Sequence, residues 1–120
     1  MGRIESLGDF LRARREELRA SDPRYSVRQV AERLGIEPSY LSKVERDIGS
    51  PPSEQTLARL ASDLRLDVDV VLALAGKVSA DVQQAIRKRP QLFAQLIREL
   101  RHAPDSILVR VVREVRDGEW

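Results

Sequence analysis

Apolar residues recur at helical spacing along almost the whole chain. Val27, Val30, Ala31 and Leu34, for example, stand at positions i, i+3, i+4 and i+7, which places them on one face of a helix. Eight segments show this spacing, and residues that favour helix ends separate them. The pattern therefore predicts an all-α fold of short helices joined by tight turns.

The first five predicted helices lie within residues 1–76 and carry faces rich in leucine and valine. Ser26, Ser53 and Asp67 are predicted N-caps, because short polar side chains accept hydrogen bonds from the first backbone N–H groups of a helix. Gly35 and Gly76 are predicted to follow helix ends in the left-handed conformation. These signals predict a five-helix domain over residues 1–76.

Residues 77–120 are predicted to form about three further helices. Pro90 suits the first turn of one of them, and Asp105 is the predicted N-cap of the last. The last segment is rich in β-branched residues, which favour strands. Strict alternation nevertheless fails at Val111 and Val112, and the apolar positions fit a helical stripe, so a helix is predicted.

The last two predicted helices carry broad apolar faces, and two interpretations of these faces stay open. They could cover the five-helix domain, or they could form a dimer interface in which each chain supplies two helices. We favour the dimer, because two-fold symmetry would double a short DNA site. The residues assigned to this interface are Leu92, Phe93, Leu96, Ile97, Leu100, Ile107, Leu108, Val111, Val112 and Val115.

The amino-acid composition argues against several classes of function. The 120 residues include no cysteine and a single histidine, His102, which argues against disulfides, thiolate zinc sites and histidine metal clusters. No apolar run approaches the roughly 18 residues of a membrane span. The acidic residues show no pairing typical of acid–base catalysis. We therefore expect no enzyme activity, no cofactor, no metal and no membrane partner.

The net charge of +2 gives little support for nucleic-acid binding. Residues 1–76 contain 12 basic and 13 acidic residues, a net charge of −1, whereas residues 77–120 carry +3. If the first part binds DNA, it must place positive charge on one face instead of relying on bulk charge.

The segment from Ser26 to Arg46 predicts such a face. Two short helices meet at a turn centred on Gly35, the arrangement of a helix-turn-helix. The outward side of the second helix offers hydroxyls and long cations, which suit the hydrogen-bonding groups of a DNA major groove. That side consists of Ser39, Ser42, Lys43 and Arg46, at i, i+3, i+4 and i+7.

The inward side of the same helix contains a carboxylate. Glu45 stands four residues after Leu41, on the side that packs against the domain, where an unpaired charge would be costly. Arg15 lies on the inner face of the first helix, four residues after Leu11. We therefore predict an Arg15–Glu45 ion pair that acts as a conformational clamp more than as a large source of stability.

Residues 7–75 resemble the Xre/lambda-repressor (Cro/C1-type) family of DNA-binding domains. The matching segments are LRARR at 11–15, VAERLGI at 30–36, SYLSKVER at 39–46, PS at 52–53 and TLARLA at 56–61. The resemblance implies a compact five-helix domain in which Ser39 and Lys43 read bases, and Tyr40 and Ser42 make further groove or phosphate contacts. It also implies phosphate contacts by Ser26, Arg28, Ser50 and the helix cap at Ser53.

Three positions depart from the family pattern. The family often has glutamine where this chain has Val27 and Pro38, and Pro38 cannot hydrogen-bond adenine. Sequence preference should therefore depend more on Ser39 and Lys43. Asp47 stands where a glycine commonly follows the recognition helix, a substitution that a left-handed turn tolerates.

Together these features predict a DNA-binding transcription regulator, expected to be a repressor, that binds a pseudo-palindromic operator as a homodimer. Its partner would be double-stranded DNA, and its expected location is cytoplasmic and associated with the nucleoid. The alternative is an antitoxin or adaptor whose C-terminal helices bind another protein, with DNA binding serving autoregulation.

Overall fold

The computed structural model describes residues 5–118, where the chain forms eight α-helices, one 3₁₀ turn and no strand. The all-α prediction is confirmed, including a helix in the β-branched last segment. The elements are α1 (Leu7–Arg19), a 3₁₀ turn (Pro23–Tyr25), α2 (Val27–Leu34), α3 (Pro38–Glu45), α4 (Glu54–Asp63), α5 (Val68–Leu74), α6 (Ala80–Lys88), α7 (Pro90–Leu100) and α8 (Asp105–Asp117).

Local chemistry sets the helix ends much as the sequence predicts. The side chains of Ser26, Ser53 and Asp67 each accept a hydrogen bond from a backbone N–H in the first turn of α2, α4 and α5 respectively. Gly35 and Gly76 have φ angles of +68° and +72°, the left-handed conformation that glycine adopts at little cost. These caps and stops keep the helices short, so that several fit around one small core.

The predicted cap of the last helix is wrong. Helix α8 begins at Asp105, and Pro104 occupies the N-cap position without a side-chain hydrogen bond. Pro104 is extended, with φ −70° and ψ 159°, so the helix starts one residue after it. The carboxylate of Asp105 instead lies in the first turn, where negative charge interacts favourably with the helix dipole.

The chain divides into two compact units, the first ending at Ser79 and the second beginning at Ala80. In the first unit, α1 to α5 surround an apolar core built mainly from leucine, valine and alanine. The buried apolar residues are Leu7, Leu11, Val30, Ala31, Leu34, Leu41, Val44, Leu57, Leu60, Ala61, Leu64, Val71 and Leu72.

The second unit contains α6, α7 and α8. None of the described residues of these three helices is buried. Large apolar side chains are exposed on all three, from Val82 on α6 to Val115 on α8. This unit therefore presents apolar helix faces that its own described residues leave open.

Candidate nucleic-acid interface

Helices α2 and α3 form a helix-turn-helix whose two members are fixed by a shared apolar contact. Val30 and Ala31 of α2 and Leu41 and Val44 of α3 are buried in the same core. The backbone N–H of Ile36 donates to the Ala31 carbonyl at 3.0 Å and closes the end of α2 around left-handed Gly35. The inner side of α3 is thereby anchored, and its opposite side faces outward.

The outward side of α3 contains the residues predicted to contact bases. Ser39, Tyr40, Lys43 and Arg46 are exposed, and Ser42 is half-buried. The Arg46 Nε donates to the Ser42 carbonyl at 3.2 Å, so this guanidinium partly caps the end of its own helix. Ser39 and Lys43 are exposed on consecutive turns of the same side.

The residues predicted to contact phosphates lie at or near the N-termini of α2 and α4. The Ser26 Oγ accepts from the Gln29 N–H at 3.2 Å at the start of α2, and the Ser53 Oγ accepts from the Thr56 N–H at 3.2 Å at the start of α4. Arg28 and Ser50 are exposed. Backbone N–H groups at such helix starts, with a hydroxyl and a cation nearby, suit phosphate oxygens.

The side chains of Arg15 and Glu45 meet in the interior. Arg15 Nε lies 2.6 Å from Glu45 Oε2, and Arg15 Nη2 lies 2.9 Å from Glu45 Oε1. This is the bidentate geometry of a strong guanidinium–carboxylate pair. The hydrogen bond to Glu45 raises the pKa of Arg15, against the opposing effect of burial. Arg15 Nη1 also donates to the Tyr25 carbonyl at 3.1 Å. One guanidinium therefore connects α1 both to α3 and to the segment that enters α2.

Arg33 makes a second set of contacts between elements, which sequence reasoning missed. It binds both carboxylate oxygens of Asp63, at 2.9 and 3.0 Å, and donates to the Arg24 carbonyl at 2.6 Å. Its guanidinium carbon also lies 5.1 Å from the centre of the Tyr25 ring, within cation–π range. Hydrogen bonding to Asp63 raises the pKa of Arg33. Because Asp63 is 30 residues away, no local spacing indicated this pair.

The connection between α1 and α2 is itself ordered by charge. Asp22 accepts from the backbone N–H of Arg24 at 3.0 Å and pairs with the Arg24 guanidinium at 2.8 Å. These hydrogen bonds lower the pKa of Asp22 to about 2. The segment thus holds a defined 3₁₀ turn immediately before Ser26.

Asp47 is a second residue whose contact sequence reasoning missed. Its Oδ1 accepts a hydrogen bond from the backbone N–H of Gly8 at 2.8 Å, across 39 residues of sequence. The available signal was an acidic residue two positions after the end of α3, where the family that the sequence resembles commonly has glycine. Nothing in the sequence indicated that the start of α1 would lie against it.

The residues assigned to a dimer interface are all accessible within the second unit. Phe93, Leu100 and Val111 are half-buried, and the others are exposed. Leu92 and Ile97 on α7 are 65% and 62% exposed, and Val112 and Val115 on α8 are 59% and 58% exposed. Within residues 5–118, no helix is both long enough and apolar enough to cross a membrane.

Sequence comparison relates this chain to proteins that contain a helix-turn-helix domain. A family model described as a helix-turn-helix domain matches residues 6–74. Two uncharacterized HTH-type transcriptional regulators, from two strains of Mycobacterium tuberculosis, are each 35% identical over 80 residues, covering 67% of this chain and 53% of theirs. The HTH-type transcriptional regulator SinR of Bacillus licheniformis is 38% identical over 59 residues, covering 49% of this chain and 53% of its own.

The chain thus spans about half the length of the curated relatives it matches. No solved structure matches it significantly.

Proposed function

Since the chain belongs to the helix-turn-helix domain family, we propose that it is a sequence-specific DNA-binding transcription regulator. It acts as a repressor and binds a pseudo-palindromic operator as a homodimer. The observation that carries this proposal is the outward side of α3, where exposed Ser39 and Lys43 stand opposite a buried side fixed by Leu41, Val44 and Glu45.

In this proposal, residues of α3 contact the bases. The Lys43 ammonium can donate to the O6 and N7 acceptors of guanine in the major groove, and the Ser39 hydroxyl can donate or accept. Tyr40 and Ser42 supply further groove or phosphate contacts from the neighbouring positions. Arg46, which donates from Nε to its own helix, reaches a phosphate through its other nitrogens.

Phosphate contacts orient the domain on the duplex. The N-termini of α2 and α4 are capped by Ser26 and Ser53, and their remaining first-turn N–H groups would donate to phosphates that flank the groove. Arg28 and Ser50 add side-chain contacts. Such contacts fix the register of α3 and supply most of the salt-dependent affinity.

In this proposal, α7 and α8 form the dimer interface. A unit of about 40 residues rarely remains folded without disulfides, a metal or an oligomeric partner, and this chain has no cysteine. Two copies of the α7–α8 pair can bury their apolar faces in a small four-helix bundle. Arg98 beside Glu99 and Arg113 beside Glu114 place both charge signs next to these faces, so each copy can pair charges with the other.

A repressor of this kind has chromosomal DNA as its partner, and hence a cytoplasmic, nucleoid-associated location. The proposal includes no catalytic step and no cofactor. Repression is tested with a reporter gene whose promoter overlaps the bound site: expression of the protein should lower the reporter signal. A rise in the signal would contradict the repressor assignment and leave DNA binding in place.

The DNA-binding part is tested by fluorescence titration of the full chain with duplexes enriched from genomic fragments. Lys43→Ala should lose about 1–3 kcal/mol of discrimination between the preferred duplex and one mismatched at the contacted base. Lys77→Ala, which removes an exposed lysine outside α3, is the matched control and should keep full discrimination. Equal behaviour of the two variants would contradict base reading by α3.

The dimer is tested by analytical ultracentrifugation of Leu96→Glu combined with Val112→Glu. Charges in a buried apolar interface are costly, so this variant should sediment as a monomer while the wild type sediments as a dimer. The matched control combines Gln95→Glu with Ser106→Glu, which places the same charges at exposed polar positions of the same two helices. A monomeric wild type would contradict the homodimer.

The exposed faces of α6 to α8 also favour a second candidate, an antitoxin or adaptor whose C-terminal helices bind another protein. In that case the purified chain should be monomeric and should form a stable complex with that protein. Binding to DNA would then regulate the synthesis of the pair. Sedimentation as a stable homodimer by the chain alone would argue against this candidate.

A further inference from the structure

We propose that Asp47 is a positioning residue for DNA binding, a role that rests on the proposed function of α3. Its carboxylate holds the end of the recognition helix, and the loop that starts there, against the N-terminus of α1. The exposed residues of α3 depend on this junction for their orientation, although Asp47 itself need not contact DNA.

The hydrogen bond satisfies a group that the helix leaves open. Backbone N–H groups in the first turn have no partner within their own helix. At the start of α1, the Ser6 Oγ accepts from the Asp9 N–H at 3.0 Å, and the Asp47 Oδ1 accepts from the Gly8 N–H at 2.8 Å. One acceptor is thus local and the other comes from the end of α3. Negative charge at a helix N-terminus is also favourable.

The two backbones approach each other unusually closely at this point. A Cβ atom added to Gly8 would lie 2.6 Å from the Glu45 carbonyl oxygen and 2.7 Å from that of Val44. Both distances are too short for a side chain, and both atoms belong to the backbone of α3. Glycine at position 8 therefore allows α1 to touch the last turn of the recognition helix directly.

The backbone of Asp47 indicates that its side chain matters. Asp47 has φ +57°, in the left-handed region. There a residue with a Cβ atom has a higher conformational energy than glycine. It ends α3 as Gly35 ends α2: the Asp47 N–H donates to Val44 at 3.1 Å and the Ile48 N–H donates to Lys43 at 2.9 Å. Glycine would suit this turn better, but glycine would leave the Gly8 N–H without its carboxylate acceptor.

The end of α3 is thus attached to α1 at two points. Glu45 binds Arg15 in the interior, and Asp47 binds the start of α1 two residues later. The first contact fixes how deeply α3 packs. The second fixes the direction in which α3 ends and the loop toward Ser50 begins. Loss of the second contact should therefore disturb DNA contacts more than it disturbs the fold.

The test compares Asp47→Asn with Asp47→Gly in the full chain. Both variants remove the same negative charge near DNA, so electrostatics toward the phosphates change equally. Asparagine keeps an oxygen acceptor for the Gly8 N–H and tolerates the left-handed conformation, whereas glycine keeps only the conformation. The probe is a duplex enriched by the wild-type chain from a random pool, titrated at several salt concentrations well below the melting temperature of each variant.

We expect Asp47→Asn to bind within about threefold of wild type and Asp47→Gly to bind roughly tenfold more weakly, because only glycine leaves the Gly8 N–H without a side-chain acceptor. The salt dependence of Asp47→Gly should also be shallower, because the phosphate contact proposed for the Arg46 cation at the end of α3 would be lost. Binding by Asp47→Gly as tight as that by Asp47→Asn would overturn the positioning role alone. Failure of the wild type to enrich any duplex would overturn the proposed function together with this role.

Discussion

The two units of this chain use the same kind of helix, yet their apolar faces meet different surroundings. In the first unit Leu11, Leu57 and Leu60 are fully buried. In the second unit Leu92 and Leu96 follow the same helical spacing but are 65% and 43% exposed. Helical spacing therefore identifies an apolar face, but whether that face is covered depends on a partner that the spacing does not identify.

The units also differ in their polar contacts. In the first unit, arginines join elements that are distant in sequence: Arg15 with Glu45 and Arg33 with Asp63. Among the described residues of the second unit, Arg116 forms an ion pair with Asp117, its neighbour in the same helix. The first unit is thus fixed in one arrangement by directional contacts, which suits a surface that must match a DNA groove. The second presents apolar faces, which suit association.

The largest effect is expected from breaking the buried pair. Arg15→Ala leaves Glu45 charged and unpaired in the interior, and should lower the free energy of unfolding by about 3–5 kcal/mol. Arg12→Ala is the matched control on the same helix, because Arg12 pairs with Glu16 where both side chains are more than half exposed. It should cost less than about 1 kcal/mol. Urea denaturation followed by circular dichroism measures both.

A compensated variant sharpens this prediction. Arg15→Met combined with Glu45→Leu replaces the pair by apolar side chains of similar size and should recover most of the lost stability. Equal losses for Arg15→Ala and Arg12→Ala would show that the interior pair is not desolvated as the structure has it.

A smaller effect is expected from trimming one leucine in each unit. Leu60→Ala removes a fully buried side chain and should cost about 2–5 kcal/mol, because the core closes only partly around the cavity. Leu92→Ala trims an exposed side chain and should change the stability of the first unit by less than about 0.5 kcal/mol. Hydrogen exchange of the α4 amides reports the first unit separately. Similar losses of stability from both substitutions would contradict the difference in burial between the two units.

The smallest effect is expected at Asp22, which orders the connection before α2. Its pKa is lowered from 3.8 to about 2, so its contribution to stability is complete above pH 3.8 and is lost as the pH falls through about 2. Asp22→Asn should therefore be slightly less stable than wild type at pH 5, and the difference should disappear as the pH falls below about 2. Thermal unfolding of both proteins across this range measures the difference. A constant difference at every pH would contradict the role of the charge.

Much of the first unit could be predicted from the sequence, because it depends on local rules. Helical spacing, the caps at Ser26, Ser53 and Asp67, and the turn at Gly35 predicted an all-α helix-turn-helix, and the family model confirms a helix-turn-helix domain over residues 6–74. The burial of Glu45 beside Arg15 followed from a charge on an inward face.

Other features were beyond sequence reasoning because they depend on tertiary approach. Arg33 meets Asp63, and Asp47 meets the start of α1, only after the helices pack. The cap predicted at Asp105 was wrong because Pro104 already occupies the position before the helix. The assignment of individual DNA-contacting and dimer residues stays a prediction, since each depends on a partner molecule.

In the proposed function, α3 reads DNA and two copies of the chain act together. Selection of bound duplexes from a random pool by the full chain tests it most directly. Two inverted half-sites should be enriched, with centres about one helical turn, roughly 10 base pairs, or a multiple of that apart. Lys43→Ala should lose the preference at one base of each half-site. Enrichment of single unpaired sites, or of no sequence at all, would contradict it.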